Sequence, residues 1–183
     1  MKNRLTKFLY TSPDIAMDSK QWQILLGGIF LIWFGLLAIC FNIYREKPLE
    51  ALWMCYIAMI LIGIGALRQN GFLIASQINL IFWPLVFWNI DFLFSLITGD
   101  SLWGITDYWF KDLLPLARFI SLEHFFLVPL ALYLLYLIKF NRKDHWKLSW
   151  FILSLMFALT LIFTERAENI NCTFKSCATL LPD

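Results

Sequence analysis

QWQILLGGIFLIWFGLLAICFNIY, residues Gln21 to Tyr44, runs for twenty-four residues without an Asp, Glu, Lys or Arg. A helix rises ~1.5 Å per residue, so about 20 apolar residues cross a ~30 Å hydrocarbon core. This stretch is long enough to do so, and further apolar runs follow it. The fold class predicted is therefore all-α, an integral membrane bundle. The composition agrees. Of 183 residues, 60% are hydrophobic and only 15% charged, against ~25% in soluble domains. Mean hydropathy is +0.68. A soluble fold of this size would expose large apolar patches, so lipid is the solvent that fits. The net charge of +2 and the scattered basic residues exclude a nucleic-acid partner. The partner implied is the bilayer itself.

Five spans are predicted, at about 22–43, 50–67, 73–98, 120–139 and 148–164, in one membrane domain with a polar tail over 165–183. Residues 1–20 carry Lys2, Arg4 and Lys7 but lead into an apolar stretch too long for a signal peptide, so the first span is retained. Pro48 and the Gln69-Asn70-Gly71 turn separate the early spans. Pro84 is expected to kink the third span. Ser76, Gln77 and Asn79 in that span are expected to face other helices. Residues 100–118 mix Asp100, Asp107, Lys111 and Arg118 with tryptophans, and read as an interfacial loop or short amphipathic helix. Gly63 and Gly65 permit close helix contact in the second span. Trp33, Trp83 and Trp88 fall deep in their spans and are expected to pack.

Orientation follows from Lys and Arg in the short loops. With the N-terminus inside, nine basic residues fall on the inner side and six on the outer. Nine acids fall outside and three inside, with Asp91 inside the third span. The prediction is N-terminus in, C-terminus out. Cys172 and Cys177, five apart in the outer tail, are then in a compartment that permits a disulfide; the alternative is two unpaired thiols.

Polar residues converge on the outer side. A carboxylate at Asp91 costs at least ~2.5–3.5 kcal/mol on insertion scales and needs a partner, water or a proton. It is either functional or held by structural hydrogen bonds. Glu123 and His124 open the fourth span. Neighbours on a helix point about 100° apart, so His124 is taken as the inward residue, for acid–base or metal chemistry. Glu165 and Glu168 share a face if the fifth helix continues, with Asn169 and Asn171 beside them and Asp107 on the overlying loop. Asp91, His124, Glu165 and Glu168 are the candidate metal ligands, and Asp91 and His124 the candidate catalytic pair. Asp107, Asn169 and Asn171 complete the pocket. Cys40 and Cys55 lie near the outer ends of neighbouring spans, as redox thiols or simply as small apolar packers. Asn171-Cys172-Thr173 has the form of a glycosylation sequon. No Gly-rich phosphate loop, HExxH, GxSxG or GxxxG run occurs, and the sequence leaves any cofactor unknown. The functions left open are a polar outer pocket for a lipid headgroup, a metal ion or a small lipid-soluble substrate, or a non-catalytic subunit of a membrane complex.

Asn89-Ile90-Asp91-Phe92, Leu96-Ile97-Thr98-Gly99, Gly104-Ile105-Thr106-Asp107-Tyr108, Leu122 with His124 and Pro129, and Glu168-Asn169-Ile170-Asn171 also carry a resemblance. Over about residues 85–171 the chain resembles an uncharacterised family of bacterial multi-spanning inner-membrane proteins. In that family the last motif continues with an aromatic residue, where this chain has Cys172. The resemblance implies a bacterial inner membrane and no activity; in that membrane the orientation predicted from the basic residues makes the N-terminus cytoplasmic and the C-terminus periplasmic.

Overall fold

A computed structural model describes residues 18–111, 113–140, 142–167, 169–174 and 176–177. The described residues form helices and no strand: α1 (Ser19–Tyr44), α2 (Met54–Leu67), α3 (Gly71–Thr98), α4 (Asp107–Phe110), α5 (Pro115–Ser121), α6 (Glu123–Ile138) and α7 (His145–Phe163). Short 3-10 turns at Pro48–Leu52 and Ile170–Cys172 complete the element order. Four stretches are long and apolar enough to cross a membrane: α1, α3, α5 joined to α6, and α7. The protein is a multi-pass membrane bundle.

Each start and stop has a local cause. Asp18 caps α1: its Oδ1 accepts from Gln21 N at 2.7 Å, and Gln21 Oε1 accepts from Asp18 N. This reciprocal pair satisfies two amides that the first turn leaves without partners. Asn70 caps α3 through Leu73 N. Gly99 ends α3 at φ 84°, a left-handed conformation that glycine adopts without strain. The helix runs unbroken through Pro84.

Two boundaries differ from the sequence expectation. The second span resolves into the 3-10 turn and the 14-residue α2, about 21 Å long. The fourth span starts earlier, because Pro115 opens α5 at a position where its missing N–H is harmless. Arg118 therefore lies in the short helix α5.

α2 is the most enclosed element. Its glycines let backbones approach. A Cβ at Gly63 would stand 2.7 Å from the Gly28 carbonyl oxygen of α1, and one at Gly65 would stand 2.8 Å from the Ile74 side chain of α3. The core of Leu31, Phe34, Met59, Ile62, Ile74, Leu127 and Leu134 fills the space between α1, α2, α3 and α6. Trp88 is buried at 4% exposure, but Trp33 and Trp83 are 54% and 61% exposed. That corrects their reading as packing residues: depth within a span places a ring among acyl chains as readily as in the core. Ser76 and Gln77 are fully buried, whereas Asn79 is exposed and bonds sideways to α7.

Candidate functional site

Both halves of the site sit at one end of the bundle, where α1, α3 and α7 end and α2 and α6 begin. The loop between α3 and α4 is built around Asp91. Its Oδ1 accepts from Trp103 N at 2.6 Å; its Oδ2 accepts from Thr106 N and Thr106 Oγ1, both at 2.8 Å. Thr106 is itself fully buried, within 3.4 Å of Ser95. Asp91 is 0% exposed. Three donors therefore replace the water it has lost, two of them backbone amides that would otherwise be orphans. This carboxylate closes a loop. No hydrogen bond or ion pair joins it to His124 among the described residues.

The α5–α6 junction places the other acid differently. The chain turns at Leu122, and a new helix begins at Glu123. Glu123 is 0% exposed, while the His124 side chain keeps 15% of its surface. Glu123 is the fully enclosed member of the pair, but His124 reaches the same cluster, so the expectation that only one of these neighbours faces inward does not hold. Neither Glu123 carboxylate oxygen has a hydrogen-bond partner. Around it stand His124, whose Nδ1 lies 3.8 Å from Glu123 Oε1, and Cys55 from the first turn of α2. One ligand atom from each of Cys55, Glu123 and His124 lies within 4.8 Å of the others.

His124 is held from three sides. Trp88 of α3 stacks on its ring at 4.2 Å between centroids. Its Nδ1 lies 2.8 Å from the Ser121 carbonyl oxygen. A carbonyl only accepts, so Nδ1 carries the proton and Nε2 keeps the lone pair. Asn89 donates Nδ2–H to the His124 carbonyl at 2.7 Å, fastening α6 to α3. Trp88 donates Nε1–H to the Tyr108 hydroxyl at 3.0 Å. Burial pushes that hydroxyl up to about 12, although Tyr108 keeps part of its surface exposed, so it stays neutral.

The remaining residues singled out in the sequence are brought elsewhere. Asp107 is half-buried at the start of α4. α7 stops at Phe163 because Thr164 is extended, so Glu165 lies exposed beyond the helix and the shared helical face is lost. Glu168 lies outside the described residues. Asn171 ties the tail to α2: its Oδ1 accepts from Met54 N at 2.8 Å and its Nδ2 donates to Leu52 O at 2.9 Å. An amide engaged at both ends cannot also carry a glycan without releasing this contact. Asn169 Oδ1 accepts from Phe174 N. Cys172 and Cys177 are bonded to each other. Cys40 is exposed and free, away from any such cluster among the described residues.

Cys55 and Glu123 are the site residues that the sequence reading did not combine. The signal for Glu123 was present as a carboxylate inside the fourth apolar run. The partner from α2 was not, since only packing brings it there. Compared with known proteins, the chain matches no family model, no curated protein and no solved structure.

Proposed function

We propose that this multi-pass membrane protein binds a divalent transition-metal ion of the zinc class through Cys55, Glu123 and His124. The observation that carries the reading is Glu123: a carboxylate with no exposure and no donor beyond weak contact with the Cys55 thiol, facing that thiol and an imidazole. A buried carboxylate of this kind is tolerated when a proton or a cation neutralises it. Thiolate, imidazole and carboxylate together suit Zn²⁺ and its neighbours rather than Mg²⁺ or Ca²⁺. A zinc ion ~2.0–2.3 Å from each ligand holds tetrahedral ligand atoms roughly 3.3–3.8 Å apart. The three side chains need to close by about 1 Å from their 4.8 Å limit. The His124 nitrogen that faces Glu123, at 3.8 Å, is Nδ1, the same atom that donates to the Ser121 carbonyl, so metal binding requires the imidazole to give up that bond and turn a lone pair toward Glu123. Three protein ligands leave a fourth position for water or for an oxygen of a lipid-soluble substrate.

The bias of basic residues supports a cytoplasmic N-terminus and hence a site near the outer leaflet. The family resemblance supports a bacterial inner membrane. A scaffold role is the second reading, favoured by Asp91 and Asn171, whose polar atoms are spent on loop closure and helix capping.

Zinc titration of the purified full chain in detergent separates the two. Tight binding of one equivalent is expected, weakened at least roughly 100-fold by Glu123→Gln or Cys55→Ala and unchanged by Asp91→Asn. Metal-ligand protons must leave on binding, so affinity falls as pH is lowered. Equal zinc binding by wild type and both ligand variants would refute the site and leave the scaffold reading.

A further inference from the structure

At the opposite end of the bundle, α3 begins, α6 ends and α7 begins around a cavity of about 240 Å³. Its lining combines the apolar Ile78, Leu132, Leu135 and Phe140 with Asn79, Arg142, Lys143 and His145. We infer that this groove is a headgroup site for an anionic phospholipid, with the phosphate against the basic side chains and the first acyl carbons along the apolar ones.

The residues fit that ligand in kind and in order. Asn79 donates Nδ2–H to His145 Nδ1 at 2.8 Å. An amide nitrogen only donates, so Nδ1 accepts and His145 Nε2 carries a proton as a donor. Asn79 also lies 3.4 Å from Ser149 Oγ, which donates to the Ser76 carbonyl and fixes α7 against α3. The groove is thus set by helix packing as well as by surface side chains. Arg142 stands over the Phe72 ring at 4.5 Å and pairs with Asp144 at 2.9 Å. Its hydrogen bond holds the Asp144 carboxyl below the usual range, so that acid stays ionised and offsets one cation. Lys139, Lys143 and Lys147 leave the segment positive. α7 also starts here without a side-chain cap on its first amides, the end of a helix that favours negative charge. A basic segment beside a span attracts anionic lipid. Free phosphate shares the charge chemistry but has no use for the apolar side chains. A cavity of this volume suits a phosphodiester and its first glycerol atoms better than an extended ligand.

The melting temperature of the full chain in a neutral detergent tests this, titrated with phosphatidylglycerol, phosphatidylcholine or inorganic phosphate. Phosphatidylglycerol at a hundredfold excess over its Kd is expected to raise it by roughly 5–10 °C. Arg142→Gln combined with Lys143→Gln should abolish the rise, and Lys143→Glu alone should at least halve it. Arg45→Gln with Lys47→Gln, at the other end of the bundle, should keep it in full. An undiminished rise in both groove variants would overturn the site. An equal rise with phosphatidylcholine would overturn the charge recognition, and an equal rise with inorganic phosphate would overturn the lipid as its source.

Discussion

Two buried acids, Asp91 and Glu123, show how differently one residue type is handled. Asp91 collects three hydrogen bonds from Trp103 and Thr106. Asp91→Asn replaces an acceptor oxygen with a donor and leaves part of that set unmet. It should lower stability by about 2–4 kcal/mol, read as a fall in the melting temperature of the purified protein, with zinc affinity intact. Glu123 has no such donors. Glu123→Gln should leave metal-free stability unchanged or raise it by about 0–3 kcal/mol, while removing the zinc-dependent gain in a thermal scan. A large loss of metal-free stability in this variant would point to a structural acid. Asp91 is legible in the sequence because it interrupts an apolar run, whereas Glu123, at the mouth of the fourth span beside His124, is not singled out by it. Their partners are not legible there. Trp103, Thr106 and Cys55 approach only through loop closure and helix packing. That Glu123 and His124 reach one cluster is likewise visible only in the packed bundle.

At the level of elements, α1 and α3 were legible because length and hydropathy alone decide a transmembrane helix, and Asp18, Asn70 and Gly99 mark their ends. The start of α5 was less so: Lys111 and Arg118 suggested an interfacial loop, while Pro115 was the better signal. α2 depends on contact more than on length. Its Gly63 meets the Gly28 backbone, which cannot yield as a flexible side chain would. Gly63→Leu should lower stability by about 1–3 kcal/mol, more than the same change at Gly99, which has open space but a positive φ. Parallel thermal scans of the two variants check this order. The tail acts on α2 from the other side. Removing the Asn171 amide by Asn171→Ala frees Met54 N and Leu52 O and should cost about 0.5–2 kcal/mol. Hydrogen exchange at the α2 N-terminus should rise with it, and unchanged exchange would mean the tail is not what holds that turn.

For the whole molecule, chain direction puts the cluster of Cys55, Glu123 and His124 at one end and a basic groove at the other. α2, only 14 residues long, returns the chain from one end of the bundle to the other; if it counts as a crossing, the N- and C-terminal ends face opposite sides. Compartment-specific labelling of tags on the two termini should therefore react from opposite faces; reaction from one face would remove α2 as a crossing and reverse the placement of the tail. The bilayer fold was readable from composition and run lengths. The site was readable only as polar residues gathered at one end, because convergence of α2 with α6 is a property of the packed bundle. Zinc K-edge absorption on the purified, zinc-loaded protein tests that convergence most directly. The metal site predicts one sulfur neighbour at about 2.3 Å with nitrogen and oxygen neighbours near 2.0–2.2 Å, and loss of the sulfur in Cys55→Ala. A spectrum without sulfur in the wild type, or one unaltered by Cys55→Ala, would contradict it.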